Sequence, residues 1–328
     1  GGASSGGGAS AARQWPAMAS GGAAPEASRR VGLGFVGQAE ETPDLLAGPQ
    51  PLMGKHFNEL IIEKQSAGEI LALTDESLSE FSVVNAVTAL HRIAKAEDAY
   101  AWKFDPRIKY LNRRITAMFA SAKREEIERQ ERGQRALGTD WVYYIDTRSL
   151  CNAAWAFAQL TLRDDALLEA ISEETCKKIC DSNAQQVSIL AWSMAKMQRT
   201  DLPLMSTLAE ETSRRILEFS SQHLMNFVWA CAKLKFLHVE VMTAVANAAI
   251  LMLEDFTPQH LSITVWAFAT LGFRHLRLMD AIAEEVLKTM RAFRPQNVSN
   301  TVWAYSTLDV RHERIGIPQK GGVGLKRA

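Results

Sequence analysis

The sequence has little cysteine, no excess of charge of one sign and no long apolar run. Four cysteines stand among 328 residues without a CxxC pair, which argues against a disulfide framework and against a zinc module. Lys+Arg and Asp+Glu number 37 each, so bulk positive charge cannot be what holds a nucleic acid. Because no run of about 18 apolar residues occurs, we expect no membrane-spanning segment and no membrane partner.

Sequence patterns of catalysis are lacking as well. The glycine-rich stretches GGASSGGG and GQRALGTD have no Lys-Ser/Thr pair of a phosphate-binding loop, and no nucleophile–base or paired-carboxylate set stands out. His238, His275 and His312 lie 37 residues apart, which indicates repeat positions and not a metal cluster or a catalytic base. We therefore expect no enzyme, no cofactor, no metal site and no small-molecule substrate.

The first 50 residues are dominated by Gly, Ala, Ser and Pro. Such a segment buries too little apolar surface to offset its ordering entropy, which predicts a disordered tail. Its early part carries Arg13, Arg29 and Arg30 against a single acid, Glu26. This pattern fits an organellar transit peptide, and it fits a flexible tail equally well.

The sequence contains an internal repeat, marked by five tryptophans spaced 37 residues apart. They are Trp155, Trp192, Trp229, Trp266 and Trp303. A period of this size is typical of a solenoid. The four complete units are 148–184, 185–221, 222–258 and 259–295, and a partial unit covers 296–314. Each unit predicts two helices, so the expected fold is an all-α, right-handed α-solenoid of tandem helix-turn-helix repeats.

Apolar spacing carries the helix prediction within a unit. In 259–295, apolar residues at i, i+3, i+4 and i+7 mark the first helix, and Leu278, Ile282 and Val286 mark the second. Each tryptophan lies between apolar neighbours, so we assign the tryptophans to packing between units. Phe219, Phe256 and Phe293 recur just before the junction between units, and we expect them to be buried there.

The repeat has flanking segments of different character. Residues 51–120 predict a divergent N-terminal repeat, with helices at 81–95 and 105–119. In that alignment Asn85 and Thr88 take the places of Asn152 and Trp155. A charged connecting segment follows at 121–147, in which KREEIERQERGQR predicts a solvated helical extension, and an irregular tail covers 315–328.

A polar ladder runs along the first helices, on the side opposite the apolar stripe. We number each unit from its first residue, at 148, 185, 222, 259 and 296. Position 9 is small throughout, which predicts room for close approach of a ligand. The candidate binding residues, at positions 2, 5 and 12, are Ser149, Asn152, Gln159, Gln186, Lys196, His223, Asn226, Lys233, His260, Asn297 and Asn300.

This ladder has two interpretations. Amide side chains present donor and acceptor together, which suits reading the base edges of a single strand. Alternatively, the same residues are solvated polar positions, or bond within their own repeat. Local charge adds a second candidate: 103–135 carries ten basic against five acidic residues, and Lys109, Arg113 and Arg114 there are possible phosphate contacts. Residues 148–314 hold 17 basic against 18 acidic residues, so recognition would have to be local to one face.

The repeated block resembles the heptatricopeptide and octotricopeptide repeat proteins, which include RAP-domain and FAST-kinase-like proteins. The matching stretches are Ser299–Tyr305 (SNTVWAY), Cys151–Ala158 (CNAAWAFA) and Phe81–Arg92 (FSVVNAVTALHR). The resemblance covers about residues 78–314. No RAP domain follows the repeats, so any nuclease-like activity of that domain is not carried over.

The resemblance implies binding of single-stranded RNA in a mitochondrion or, alternatively, a plastid. We expect a non-catalytic factor in RNA processing, editing, stability or translation, with protein partners in an RNA-processing complex possible. The alternative is a HEAT- or armadillo-like scaffold that binds a peptide or a partner helix. Zero net charge and the apolar Ile189 and Ile263 on the ladder favour this alternative.

Overall fold

The computed structural model describes residues 51–133 and 145–311, and the regular elements in these two ranges are helical. An all-α fold is therefore confirmed for this part of the chain, which contains no strand. The predicted tail at 1–50, the predicted tail at 315–328 and residues 134–144 of the predicted connecting segment lie outside the described residues.

The helices form two rows, and each helix packs on the next helix of its own row. The first row consists of α1 (Pro51–Glu63), α3 (Val83–Lys95), α6 (Thr147–Leu160), α8 (Ala184–Lys196), α10 (Ser221–Leu234), α12 (Pro258–Thr270) and α14 (Pro295–Thr307). The second row consists of α2 (Ala67–Ser77), α5 (Pro106–Glu131), α7 (Asp165–Lys178), α9 (Leu202–Arg214), α11 (Val239–Leu251) and α13 (Leu276–Thr289). The short helix α4 (Ala99–Trp102) lies between α3 and α5.

Helix starts from α6 onwards recur every 37 residues in both rows, and capping side chains fix them. Before α6, α8, α10 and α12 stand residues with short polar side chains, each accepting the N–H of the third helical residue. They are Asp146, Asn183, Ser220 and Thr257. Caps of this kind stabilise a helix by about 1 kcal/mol each.

The periodic histidines are caps of the second row. His238 and His275 precede α11 and α13, and their Nδ1 atoms accept the N–H of Val241 at 3.4 Å and of Leu278 at 3.2 Å. Asp164 and Asp201 do the same before α7 and α9. These two histidines are thus repeat positions that start helices; His312 lies outside the described residues.

The first-row helices end in left-handed backbone, again 37 residues apart. The five residues are Thr161, Gln198, Lys235, Gly272 and Asp309, with φ between 49° and 65°. Only Gly272 adopts this conformation without a steric penalty. Each second-row helix from α7 on is followed by a 3₁₀ turn, after which Phe219 and Phe256 are buried as expected, while Phe293 is partly exposed.

The N-terminal part contains one helix pair more than the sequence predicts. The predicted helices at 81–95 and 105–119 correspond to α3 and α5, and α5 continues without a break to Glu131. Upstream, α1 and α2 form a further pair, with α2 started by a capping box between Ser66 and Glu69.

The alignment of Asn85 with Asn152 is wrong by three residues. Asn85 is the third residue of α3, where it accepts the Ser82 N–H, and the third residue of α6 is Ser149. His91, not Thr88, therefore stands where the first tryptophan does. The His91 ring packs against Trp155 with their centroids 4.9 Å apart.

Buried carboxylates recur along the second row and are paired on their own helices. The pairs are Glu174–Lys177, Glu211–Arg214 and Glu285–Lys288, with N···O distances of 2.5 to 2.9 Å. Burial alone would raise the pKa of Glu174, but hydrogen bonds and charge from Lys177 and Lys178 outweigh it, so this pKa lies below its ordinary value. Each pair places a cation of the same helix beside a carboxylate that is largely out of water.

Two cations at equivalent positions, each at the end of a second-row helix, donate a hydrogen bond to the backbone just before the first-row helix of the same unit. Lys178 donates from Nζ to the Ile145 carbonyl at 2.9 Å. Arg215, 37 residues on, donates to the Ser182 carbonyl. Both carbonyls lie just before a first-row helix, so these hydrogen bonds fix the position of that helix relative to its partner.

Candidate nucleic-acid interface

Three of the five polar residues at position 2 use a side-chain atom to cap the start of their own helix. Gln186 Oε1 accepts the Asn183 N–H at 2.9 Å. His223 Nδ1 accepts the Ser220 N–H at 3.3 Å, and Asn297 Oδ1 accepts the Arg294 N–H at 3.1 Å. Ser149 is buried. The structure thus argues against RNA binding by this position: one acceptor atom each of Gln186, His223 and Asn297 is used by the backbone, and Ser149 is buried.

The two histidines at position 2 also pack on the buried phenylalanines before their helices. His223 lies edge-on to Phe219 at 6.1 Å and His260 to Phe256 at 5.9 Å. Burial lowers the pKa of both imidazoles, so both are neutral at pH 7. They contribute no positive charge to an interface.

The small residues at position 9 serve helix packing and not ligand approach. All five are fully buried: Ala156, Ser193, Ala230, Ala267 and Ala304. Small side chains at a helix contact let two backbones approach closely, which is what the packed first row requires. The expected room for a ligand at this position is wrong.

Position 5 retains amides that are available to a ligand. Asn152, Asn226 and Asn300 are partly exposed, and their side chains form no hydrogen bond within the described residues. Ile189 at the same position is buried, whereas Ile263 is partly exposed. Three of the five units therefore present a free amide at this point.

Position 12 carries the exposed cations. Lys196 and Lys233 are exposed, and Gln159 is partly exposed. With the corrected register, Lys95 on α3 occupies the same position and is exposed too. The Lys233 Nζ lies 5.9 Å from the centroid of the Trp229 ring, a distance at which a cation interacts favourably with an indole.

Position 1 was missed in the sequence, although it recurs as faithfully as the tryptophans. Its residues are Arg148, Gln185, Gln222, Gln259 and Gln296, and all are exposed or partly exposed. Positions 1, 5, 8 and 12 are spaced at i, i+4, i+7 and i+11, so they share one helical face. We name this face, on the first-row helices α3, α6, α8, α10, α12 and α14, the first-row ridge.

The tryptophans at position 8 lie on the edge of this ridge and emerge progressively. Trp155 and Trp192 are buried, at 3% and 9% exposed, Trp229 and Trp266 are partly exposed, and Trp303 is 46% exposed. Trp192 and Trp229 stack across neighbouring helices, with ring centroids 6.3 Å apart and planes 28° apart. Packing between units is thus correct for the first tryptophans and incomplete for the last.

From α6 onwards, charge is segregated between the two rows, and the first row is also free of acids at α3. The segregation does not extend to α1, which carries Glu59 and Glu63, or to α5, which carries seven basic against four acidic residues. The first-row helices α3, α6, α8, α10, α12 and α14 contain five Lys or Arg residues and no Asp or Glu. The second-row helices α7, α9, α11 and α13 contain ten acidic and five basic residues. The near-zero charge of 148–314 therefore hides a weakly basic layer beside an acidic one.

His91 adds no charge to the basic layer, although it belongs to it. Burial, together with the nearby Lys95 and Arg92, lowers the pKa of His91 to about 4, so the ring is neutral at pH 7. The positive charge of α3 therefore comes from Arg92 and Lys95, of which Lys95 is exposed and Arg92 donates to the Lys64 carbonyl at 2.9 Å.

The three predicted phosphate contacts on α5 differ in exposure: one is buried and two are exposed. Arg114 is buried and donates to the Ser79 carbonyl at 3.3 Å, and burial lowers its pKa. It is a packing residue, so its assignment as a phosphate contact is wrong. Lys109 and Arg113 are exposed, but they belong to the second row and the structure does not bring them to the first-row ridge.

The cysteines fall into two classes. Cys151 and Cys231 are buried, and burial raises the pKa of both thiols, that of Cys151 to about 12. Cys176 is partly exposed and Cys180 is exposed.

Over 51–133 and 145–311, no group of three or more His, Cys, Asp or Glu side chains is arranged to hold a metal ion. No helix in this part has the length and apolarity to cross a membrane.

Comparison with known proteins adds no identification. No protein-family model matches the chain, and no curated protein shows a significant match.

Proposed function

We propose that this protein is a non-catalytic, single-stranded RNA-binding helical-repeat protein, folded as a right-handed α-solenoid of 37-residue repeats. The observation that supports it most is the charge segregation. The first-row helices from α3 to α14 contain no carboxylate, and they carry exposed Lys196 and Lys233 and free amides at Asn152, Asn226 and Asn300. RNA binds to this first-row ridge and not to the acidic second-row helices α7, α9, α11 and α13.

The ridge has the two kinds of group that recognition of a single strand needs. Lysines neutralise phosphates and release counterions, which makes binding salt-dependent. Amides donate and accept together and read base edges, at about one base per helical repeat in other helical-repeat RNA binders. The described first-row helices from α6 on would then address about five nucleotides.

The cellular role follows from the resemblance to heptatricopeptide and octotricopeptide repeat proteins. We infer action in RNA processing, editing, stability or translation in a mitochondrion or, alternatively, in a plastid. The Arg-containing, Gly/Ala/Ser-rich residues 1–50 suit a transit peptide. Expression of the full chain with a C-terminal fluorescent tag tests this: a signal outside both organelles contradicts it.

RNA binding is tested with a pool of single-stranded RNA and purified full chain. Fluorescence anisotropy should show RNA binding whose affinity falls as the salt concentration rises. The double variant Lys196→Glu/Lys233→Glu should bind RNA at least about tenfold more weakly than the wild type, because it replaces two phosphate-binding charges by repelling ones. The variant Lys235→Gln is the control, since it removes an exposed lysine at a helix end where unit 2 has Gln198. Absence of salt-sensitive binding, or unchanged binding in the double variant, would reject the proposal.

A protein-binding scaffold is the second candidate, and an exposed apolar stripe favours it. Leu202, Val239 and Leu276 are the first residues of α9, α11 and α13, 37 residues apart, and are 58%, 51% and 50% exposed. An apolar face of a partner helix would fit such a stripe. Pull-down with and without ribonuclease separates the two functions: partners that survive ribonuclease support the scaffold, and partners that are lost support RNA.

A further inference from the structure

Helix α10 carries a constellation on the first-row ridge that the other units lack. Gln222, Asn226, Trp229 and Lys233 stand at i, i+4, i+7 and i+11, so they form one stripe about 16 Å long. The first three side chains are partly exposed and Lys233 is exposed. Two amides, an indole and an ammonium group therefore line up on a single helical face.

Each of the other described units is missing a member of this set. Unit 1 has a buried Trp155, and unit 2 has a buried Ile189 and a buried Trp192. Units 4 and 5 have Thr270 and Thr307 in place of the lysine. The comparison makes α10 the one position among these units where all four chemical groups reach the surface together.

The indole of Trp229 is held in place before any ligand arrives. Trp192 of the preceding unit packs against it at 6.3 Å between centroids, with the planes 28° from parallel. The Lys233 Nζ lies 5.9 Å from the same ring centroid. A fixed aromatic surface with a flexible lysine over it supplies a platform on which a base of a single strand can stack once the lysine moves off the ring to the adjoining phosphate.

We propose that the α10 stripe is a nucleotide-binding subsite for an unstacked base of single-stranded RNA. The base packs against the exposed part of the Trp229 indole. The Gln222 and Asn226 amides hydrogen-bond to its edge, and Lys233 pairs with the adjoining phosphate. This inference rests on the proposed function and deepens it, because it makes one unit the strongest contact of the ridge.

The site is tested on the full chain with labelled 12-nucleotide oligo(U) and oligo(A) RNA by fluorescence anisotropy. Asn226→Ala and Trp229→Leu should each weaken binding of the preferred oligonucleotide, Trp229→Leu by about tenfold or more, as expected for a lost stacking contact. Asn247→Ala is the matched control, since Asn247 is an exposed asparagine on the second-row helix α11. It should bind as the wild type does.

The outcomes separate the subsite from the function. If the wild type binds RNA and both α10 variants bind within about twofold of it, the subsite is rejected while RNA binding by the ridge stands. If the wild type binds neither oligonucleotide nor the RNA pool, both are rejected. If Trp229→Leu loses its cooperative thermal transition, Asn226→Ala decides, because that side chain makes no hydrogen bond within the described residues. Ultraviolet crosslinking of the wild type should label the α10 peptide, and exclusive labelling of second-row peptides would also reject the subsite.

Discussion

Strain at the ends of the first-row helices should make Thr161→Gly a stabilising substitution. Thr161 ends α6 with φ at 53° and is β-branched, the side-chain type least suited to left-handed backbone. This conformation costs an L-residue about 1–2 kcal/mol, and glycine adds about 0.5–1 kcal/mol of unfolded-state entropy. Because the Thr161 side chain is exposed, little packing is lost. The expected net gain in unfolding free energy is about 0.5–1 kcal/mol.

Thermal unfolding followed by circular dichroism should show a rise in Tm of about 1–4 °C for Thr161→Gly. The reverse change gives the matched control at the equivalent residue. Gly272 has φ at 65°, and a Cβ added there meets no atom within 4 Å, so Gly272→Ala should lose about 1 kcal/mol for conformational reasons alone. A loss of stability in Thr161→Gly, or a neutral Gly272→Ala, would refute the reasoning that backbone strain is stored at these ends.

Three further predictions concern the core and the second row. Because the native pKa of Glu174 is lowered, its ionisation stabilises the fold above the unfolded Glu pKa of about 4.3, and this contribution is lost as pH falls through the native pKa. The urea midpoint should therefore fall less between neutral and acidic pH in Glu174→Gln than in the wild type. An identical fall in both proteins would contradict this. Ala267→Leu, at a fully buried contact of the first row, should lower the unfolding free energy measured in urea by about 1–3 kcal/mol. The control Gln296→Leu, at an exposed site, should change it by no more than about 0.5 kcal/mol. Equal effects of the two substitutions would show that the contact at Ala267 is not tightly packed. Native alkylation at pH 8 should modify Cys180 and spare Cys151 and Cys231, whose thiols are buried with raised pKa values; modification of all three at one rate, measured by mass spectrometry, would contradict their burial.

The helices themselves were largely predictable from local pattern. Apolar spacing around each tryptophan identified both helices of a unit, and α3 and α5 followed from weaker versions of the same pattern. The pair α1 and α2 was missed because it has no tryptophan and a different spacing. The register of Asn85 was wrong because an asparagine at the third helical residue and one at position 5 look alike until the cap at Ser82 is seen.

The candidate site was only partly predictable, since polar residues recur for two different physical reasons. Gln186, His223 and Asn297 are polar because helix starts need hydrogen-bond partners for backbone N–H groups. Asn226 and Lys233 are polar because they face water. Periodicity alone does not separate these cases, whereas a tally of charge by helix, not by segment, would have revealed that the first-row helices from α3 on contain no carboxylate.

Exposure of the tryptophans could not be derived from one unit at a time. Trp155 and Trp303 sit in similar local sequence, yet one is 3% and the other 46% exposed. A following first-row helix packs on α6, α8, α10 and α12 alike, yet Trp155 and Trp192 are buried whereas Trp229 and Trp266 are partly exposed. Contacts between units are set by several side chains of both neighbours and are not encoded in the repeated block.

Salt-dependent RNA binding by two variants of equal net charge tests the central claim most directly. One variant, Lys95→Gln/Lys196→Gln/Lys233→Gln, neutralises exposed first-row lysines, and the other, Lys109→Gln/Arg113→Gln/Arg277→Gln, neutralises exposed second-row cations. If RNA lies on the first-row ridge, the slope of log affinity against log salt should fall by about 2 in the first variant and stay unchanged in the second. Equal losses of slope in both variants would contradict binding at the ridge.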